Sequence, residues 1–401
     1  MGGLPLRSGP MWLLAAVAAL AGAGAAATVP AEPRAGIRTA ALVVRHDERA
    51  GLVLDPRQEP AVRVEPPDPE ALARLRRLRW PAEKAWKWYA GIGPICGCNY
   101  LPRTAVNSTE MWQADSFDPT TIDQELGWAH KYGLNSIRVF VQAIVYEADP
   151  AGLLRRMERL LEIADKHQIT VTFILLDDCF LPEPKLGTQP EPVPGVHNSQ
   201  WTSSPGEKRK RRENRPLLEK YVQGVVGRFA KDKRVLFWDL YNEPKPESRP
   251  LVEAAFAWAR AAQPTQPLTT CWHAEDLSDI ITFHDYGPPQ PDRLTRWVAE
   301  RPAVCTECIA RTLGSRFDSV LPAFAEKGIG WYMWGLVQGR TQTYYPWGSP
   351  RNAPEPRPWF HDLLRPEGTP YRPDEITLIR RFPEQFRRRK APSCGLNRPA
   401  E

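Results

Sequence analysis

From about residue 88 to residue 337 the chain alternates short apolar runs with longer stretches of helical spacing. The apolar runs predict strands over 95–100, 134–141, 169–176, 235–241, 267–272, 280–286, 302–307 and 330–335. Between most of them, the recurrence of apolar residues every three to four positions predicts helices over 119–132, 152–167, 217–231, 252–262, 293–300 and 317–327. The runs lack the in-out alternation of a half-exposed strand, which is the pattern of strands covered on both faces in a parallel sheet. Eight such strands with intervening helices predict an α/β fold, a closed (β/α)8 barrel, and about 250 residues is the usual size of one. The competing arrangement, a doubly wound open sheet, needs a glycine-rich phosphate loop after a strand, and no strand here is followed by one.

The flanks have a different texture. Residues 1–27 combine Arg7, the apolar run from Met11 to Leu20 and the small residues Ala25-Ala-Ala27, the three parts of a secretory signal peptide. The alternative, an uncleaved anchor, is disfavoured because the strictly apolar part is shorter than the roughly 20 residues a span needs. Residues 28–79 form a Pro- and Arg-rich arm or linker, with helical spacing from Pro69 to Arg79. The barrel domain is placed at 80–385, opening on a helix with Pro81 in its first turn, and 386–401 is a basic tail. Inside the barrel, 179–214 is a loop of a length that usually carries function. Together these expectations describe an exported protein, periplasmic or extracellular, with no stable membrane insertion once the leader is removed.

Composition narrows the function classes. Of 401 residues, 53 are Lys or Arg and 47 Asp or Glu, and the formal charge of +6 is explained by two short runs, Lys208–Arg212 and Arg387–Lys390. No nucleic-acid-binding module accompanies them, so no nucleic-acid partner is expected. Seven cysteines leave at least one unpaired in a monomer, and neither Cys96-Gly-Cys98 nor Cys305-Thr-Glu-Cys308 has the remaining ligands of a zinc site at a suitable spacing. Buried thiols or a disulfide are expected there, with no metal and no other cofactor. The oligomeric state is left open. Fifteen tryptophans are unusual; they serve either as core or as platforms for sugar rings.

Reactive groups of a (β/α)8 barrel sit at the carboxyl ends of its strands. Taken in order, these ends carry Asn99 and Tyr100, Arg138, Asp177 and Asp178, Asn242 and Glu243, Trp272 and His273, His284 and Tyr286, Glu307, and Trp334. Glu243 lies in Val235-Leu-Phe-Trp-Asp-Leu-Tyr-Asn-Glu-Pro244 at the end of the fourth strand, and Glu307 ends the seventh. Two carboxylates facing one another across the mouth are what glycosidic cleavage requires, one protonated and one ionised. A separation of about 5–5.5 Å implies retention through a covalent intermediate, and about 6.5–9.5 Å implies inversion. Each residue alone has a plainer explanation. Asn-Glu-Pro also starts helices, Glu307 and Arg138 could be a structural ion pair, His284 a satisfied core histidine and Trp334 core. The joint occurrence at successive strand ends favours chemistry.

This constellation resembles clan A of the glycoside hydrolases, closest to the family-five, cellulase-like barrels, over about residues 80–340. The resemblance implies that Glu243 is the acid/base, Glu307 the nucleophile, and Arg138 the cation that keeps Glu307 ionised. It implies substrate-binding roles for Asn242, at the sugar 2-hydroxyl, and for His284, Tyr286 and the aromatic platform Trp334. Asp177, Asp178 and Trp272 join the binding set from their strand-end positions. Loop aromatics Trp112, Trp201, Tyr344, Tyr345 or Trp347 are expected to line subsites. One departure is the third strand, where many family members carry a histidine and this chain has Asp177-Asp178-Cys179. The expected activity is retaining hydrolysis of a β-linked glycan of cellulose, mannan or xylan type. A barrel that binds glycans without cleaving them, and a transglycosylase using the same pair, are the alternatives.

Overall fold

In the computed structural model the described residues are 44–47, 51–54 and 68–388, and the chain divides into two units, residues 1–63 and 64–401. The expected leader, most of the arm and the residues after Arg388 lie outside the described residues. In the first unit, Val44–Asp47 pairs antiparallel with Gly51–Leu54 as a hairpin. Among the described residues no helix is long and apolar enough to cross a membrane.

The second unit contains the barrel. Its strands are β1 (Cys96–Asn99), β2 (Ser136–Phe140), β3 (Thr170–Asp177), β4 (Val235–Asn242), β5 (Leu268–Thr269), β6 (Ile281–Asp285), β7 (Ala303–Cys308) and β8 (Gly330–Trp334). They form one sheet in the order β5-β4-β3-β2-β1-β8-β7-β6, parallel throughout. The remaining seam, between β5 and β6, is spanned by the Asp279 amide donating to the Leu268 carbonyl (2.9 Å class geometry, 2.8 Å) and by the Thr269 and Thr282 hydroxyls 2.9 Å apart. The sheet is therefore an almost closed (β/α)8 barrel.

The helices begin where the sequence offers caps. Asp118 accepts from the Thr121 amide ahead of Pro119–Lys131, and Asp149 from the Gly152 amide ahead of Pro150–Lys166, each with proline in the first turn. Pro81 is the N-cap of Ala82–Ile92 rather than a first-turn residue. Two differences from the expected pattern have clear causes. β5 stops at Thr269 because Trp272 and His273 adopt φ of +59° and +58°, which no strand can contain. The final helix runs from Pro373 to Arg388, past the expected start of the tail, because Ile376, Ile379, Phe382 and Phe386 all bury on one face. Among the described residues the cysteines are free thiols, with Cys96, Cys98, Cys271, Cys305 and Cys308 buried.

Candidate active site

Register carries the site. The pairing sets Asn99 beside Arg138, Asp177 beside Asn242, His284 beside Glu307 and Trp334 beside Asn99, all at the carboxyl ends of adjacent strands. Side chains 39 to 169 positions apart in the chain thereby converge on one guanidinium.

That guanidinium is Arg138, which is fully buried. Its Nη1 donates to Glu307 Oε1 (2.9 Å) and Asn99 Oδ1 (2.7 Å); its Nη2 donates to Asn242 Oδ1 (2.7 Å) and Asp239 Oδ2 (2.7 Å); its Nε donates to Asp239 Oδ2 (2.9 Å). Burial opposes the charge, but the carboxylates of Asp239 and Glu307 outweigh it and hold the pKa above the ordinary arginine value. Asp239 is a participant that strand patterning did not single out. The only signal was a carboxylate inside an otherwise apolar run.

Glu307 accepts from Arg138 on one oxygen and from the Tyr286 hydroxyl (2.6 Å) on the other. Glu243 contacts Cys179 Sγ (3.3 Å) through Oε2 and His284 Nδ1 (2.6 Å) through Oε1. The same His284 nitrogen is 3.4 Å from Glu307 Oε2, so one imidazole spans the pair. One atom each from Glu243, His284 and Glu307 can be chosen so that all three lie within 4.8 Å of one another. The backbone of Glu243 holds φ +43°, a strained conformation for a residue with a side chain.

Burial raises the pKa of both glutamates. For Glu307 the charge of Glu243 adds to that, while His284, Arg138 and Tyr286 work against it. Glu243 has weaker opposition, the Cys179 thiol and more distant Arg138. The donors therefore favour the ionised form at Glu307 and leave Glu243 as the better holder of a proton. Burial lowers His284 to about 4, so it is a neutral bridge near neutrality.

The other expected residues separate into groups. Asn242 donates to Asp177 Oδ1 (3.0 Å), and Asp177 accepts from Trp201 Nε1 (2.9 Å), linking both to the mouth. Burial pushes Asp177 up to about 6. Asp178 instead accepts from the Tyr241 hydroxyl (2.7 Å), the Ser248 hydroxyl (2.6 Å) and the Lys245 amide (2.9 Å), and pairs with Lys210. None of those partners belongs to the carboxylate pair, so Asp178 anchors the loop after β3. Trp272 is 36% exposed and packs on His284, ring centroids 5.4 Å apart. Trp334 meets Phe140 and Trp201 edge-on at 5.7 and 5.8 Å. Of the loop aromatics, Trp201 and the exposed Trp347, 4.9 Å from Tyr286, stand near the site. Trp112 is fully buried, donates to the Phe140 carbonyl (2.7 Å) and stacks on Phe117, so it is core. Cys179 fills the place of the absent histidine and puts its thiol on Glu243, a contact the sequence alone did not suggest.

No protein-family model matches the chain, and no curated protein matches it. Solved structures do. A GH5_18 from Streptomyces cattleya, in complex with GlcNAc, aligns with a TM-score of 0.50 and 12% identity, over 75% of this chain and 82% of its own. The exo-beta-1,4-mannosidase Op5Man5 from Opitutaceae bacterium strain TAV5 aligns with a TM-score of 0.52 and 17% identity, over 74% of this chain and 60% of its own. What these similarities carry is the architecture, and the chain has the (β/α)8 fold of the cellulase-like, family-five glycoside hydrolase barrels.

Proposed function

We propose that the protein is an exported glycoside hydrolase that cleaves β-linked glycans with retention of configuration. The observation that carries the reading is the approach of Glu243 and Glu307 across the barrel mouth, with oxygens within 4.8 Å. That spacing suits the covalent route, for which about 5–5.5 Å between carboxyl groups is typical, and leaves no room for a water between them. The similar architecture of a β-mannosidase supports placing β-mannosides, beside glucan and xylan fragments, on the substrate panel. Export rests on the leader-like residues 1–27 alone.

In this reading Glu307 attacks the anomeric carbon while Glu243 gives its proton to the departing oxygen. Arg138 and Tyr286, donating to the two oxygens of Glu307, keep that carboxylate ionised and aimed. Glu243, now a carboxylate, takes a proton from water, which releases the sugar from Glu307. Asn242, fixed by Arg138 and Asp177, presents its amide to the sugar beside the bond being broken.

The test is turnover of aryl β-glycosides and β-linked oligosaccharides by the wild type, Glu243→Gln and Glu307→Gln, with the anomer of the first product followed by NMR. Both variants should be folded and essentially inactive, and the first product should keep the β configuration. Full activity in either variant removes the assignment; an α product removes retention. Glycan binding without hydrolysis by the wild type would leave a binding barrel.

A further inference from the structure

The loops after β1, β3 and β8 are tied together on one side of the mouth. Asn107 donates to Gln189 Oε1 and to the Gln200 carbonyl, each at 2.9 Å. The Asn198 amide donates to the Thr341 carbonyl (2.9 Å) and the Gly195 amide to Gln342 Oε1 (2.8 Å). Gln342 returns a bond to the Val193 carbonyl (2.8 Å), and His197 Nδ1 lies 2.7 Å from the Tyr345 carbonyl. Behind them Arg311, buried and paired with Glu375, donates to the carbonyls of His361 (2.6 Å) and Asp362 (2.9 Å). This side is a fixed wall.

Beneath the wall is a cleft lined by Asn99, Phe140, Asn198, Trp201, Trp334 and Asp362, among others. Asn198 is 1% exposed, and neither its amide nitrogen nor its amide oxygen has a hydrogen-bond partner. Buried amides are almost always satisfied, so this one is waiting for a ligand group or for water. Asp362, equally buried, accepts at both oxygens from the single hydroxyl of Thr343 (2.9 and 3.0 Å). Both residues hold left-handed backbone, φ +46° and +54°. A side chain at Gly335 would collide with the Asp362 carboxylate, so the glycine after Trp334 is what lets that carboxylate reach the cleft. An amide that donates and accepts, a carboxylate that accepts and two indole rings make up the chemistry that grips a sugar hydroxyl.

The cleft lies on the side of the sugar that keeps its anomeric carbon. Arg138 Nη1 divides its bonds between Glu307, which attacks that carbon, and Asn99, which lines the cleft. Trp272, after β5, lies across the barrel from β1, on the side open to a leaving group.

We propose that this cleft is a closed terminal subsite. The non-reducing-end sugar seats against Trp334 and Trp201 with a hydroxyl held by Asn198 and Asp362, and the tied loops prevent the chain from extending further, so that units leave from the chain end. The proposal rests on the hydrolase reading above and deepens it.

The experiment follows a β-linked hexasaccharide labelled at its reducing end, together with an aryl β-glycoside and its monodeoxy analogues, using full-length protein. The wild type should shorten the labelled chain stepwise from the unlabelled end. Asn198→Ala and the isosteric Asp362→Asn should each raise KM at least tenfold with a smaller change in kcat. One monodeoxy analogue should lose affinity for the wild type and lose no more in the variants. Internal cleavage at the earliest times overturns the closed end while leaving the hydrolase intact. Wild-type kinetics in both folded variants overturns the roles of Asn198 and Asp362, leaving a water-binding pocket only. If no glycoside is cleaved by the wild type, the hydrolase reading fails and this one with it.

Discussion

The thiol of Cys179 stands 3.3 Å from Oε2 of Glu243, where it donates a hydrogen bond to the carboxylate proposed as the acid/base. Cys179 is itself buried enough for its own pKa to lie well above the usual thiol value, so it acts as a neutral donor and not as a nucleophile. The bond favours the ionised form of Glu243 and holds back the rise that burial causes. Cys179→Ala removes that opposition. Because Glu243 must be protonated to act, activity is lost as pH rises through its pKa. The alkaline limb of kcat/KM should therefore move to higher pH in the variant, by about half to one unit for a bond of roughly 1 kcal/mol. An unmoved limb, in a variant of unchanged Tm, would remove the thiol from proton control.

Tyr286 has the opposite lever on the other carboxylate. Its hydroxyl donates to Glu307 Oε2 at 2.6 Å and favours the ionised form. Glu307 must be ionised to attack, so activity is lost as pH falls through its pKa. Tyr286→Phe raises that pKa and should move the acidic limb upward, narrowing the profile from its acidic side while the alkaline limb stays in place. A pH–rate profile of the two variants side by side separates the two carboxylates. Both limbs moving together in either variant would assign the proton to the coupled pair instead.

Arg138 should resist conservative replacement. Its fork satisfies Asp239, Asn99, Asn242 and Glu307 at once, which a single ammonium cannot do. Arg138→Lys is expected to cost activity by more than a hundredfold. Arg138→Met, which strands two buried carboxylates, is expected to destabilise the fold by about 3–5 kcal/mol. Asp239→Asn tests the link from behind, since that carboxylate touches Arg138 and not the proposed substrate. Denaturant melts and kcat/KM for the three variants check the order, with Arg138→Lys tolerated in both measurements being the contrary result.

Much of this architecture was legible in the sequence because a parallel barrel writes its strands plainly. They are apolar on both faces, and each ends where polar residues begin, so Asn242, Glu243, His284 and Glu307 announced their own positions. Asp239 was hidden because it sits in mid-strand, where only the register of β2 against its neighbours brings Arg138 to it. Trp112 and Trp201 are the same residue type in similar loops, yet one is core and the other lines the cleft; the difference lies in which carbonyl or carboxylate each indole N–H reaches. Asn198 and Asp362 were illegible for a further reason. They meet only through two long loops, and loop closure is fixed by tertiary hydrogen bonds rather than by local spacing.

The last expectation concerns metals. Glu243, His284 and Glu307 present ligand atoms within 4.8 Å of one another, an arrangement a divalent cation could enter. For catalysis it would be out of place. Arg138 already stands 2.9 Å from Glu307 and would face the cation, and Glu243 would have to give up the proton it is meant to donate. Prolonged chelation should therefore leave kcat and KM unchanged. Added Zn2+ should inhibit in competition with substrate, because it needs the same oxygens and the neutral imidazole of His284. The inhibition should weaken as pH falls, since protons on Glu243 and Glu307 compete for those atoms. Steady-state kinetics with and without chelator, then a zinc titration at two pH values, decide it. Loss of turnover on chelation, restored by a single metal, would replace the two-carboxylate mechanism with a metal-assisted one.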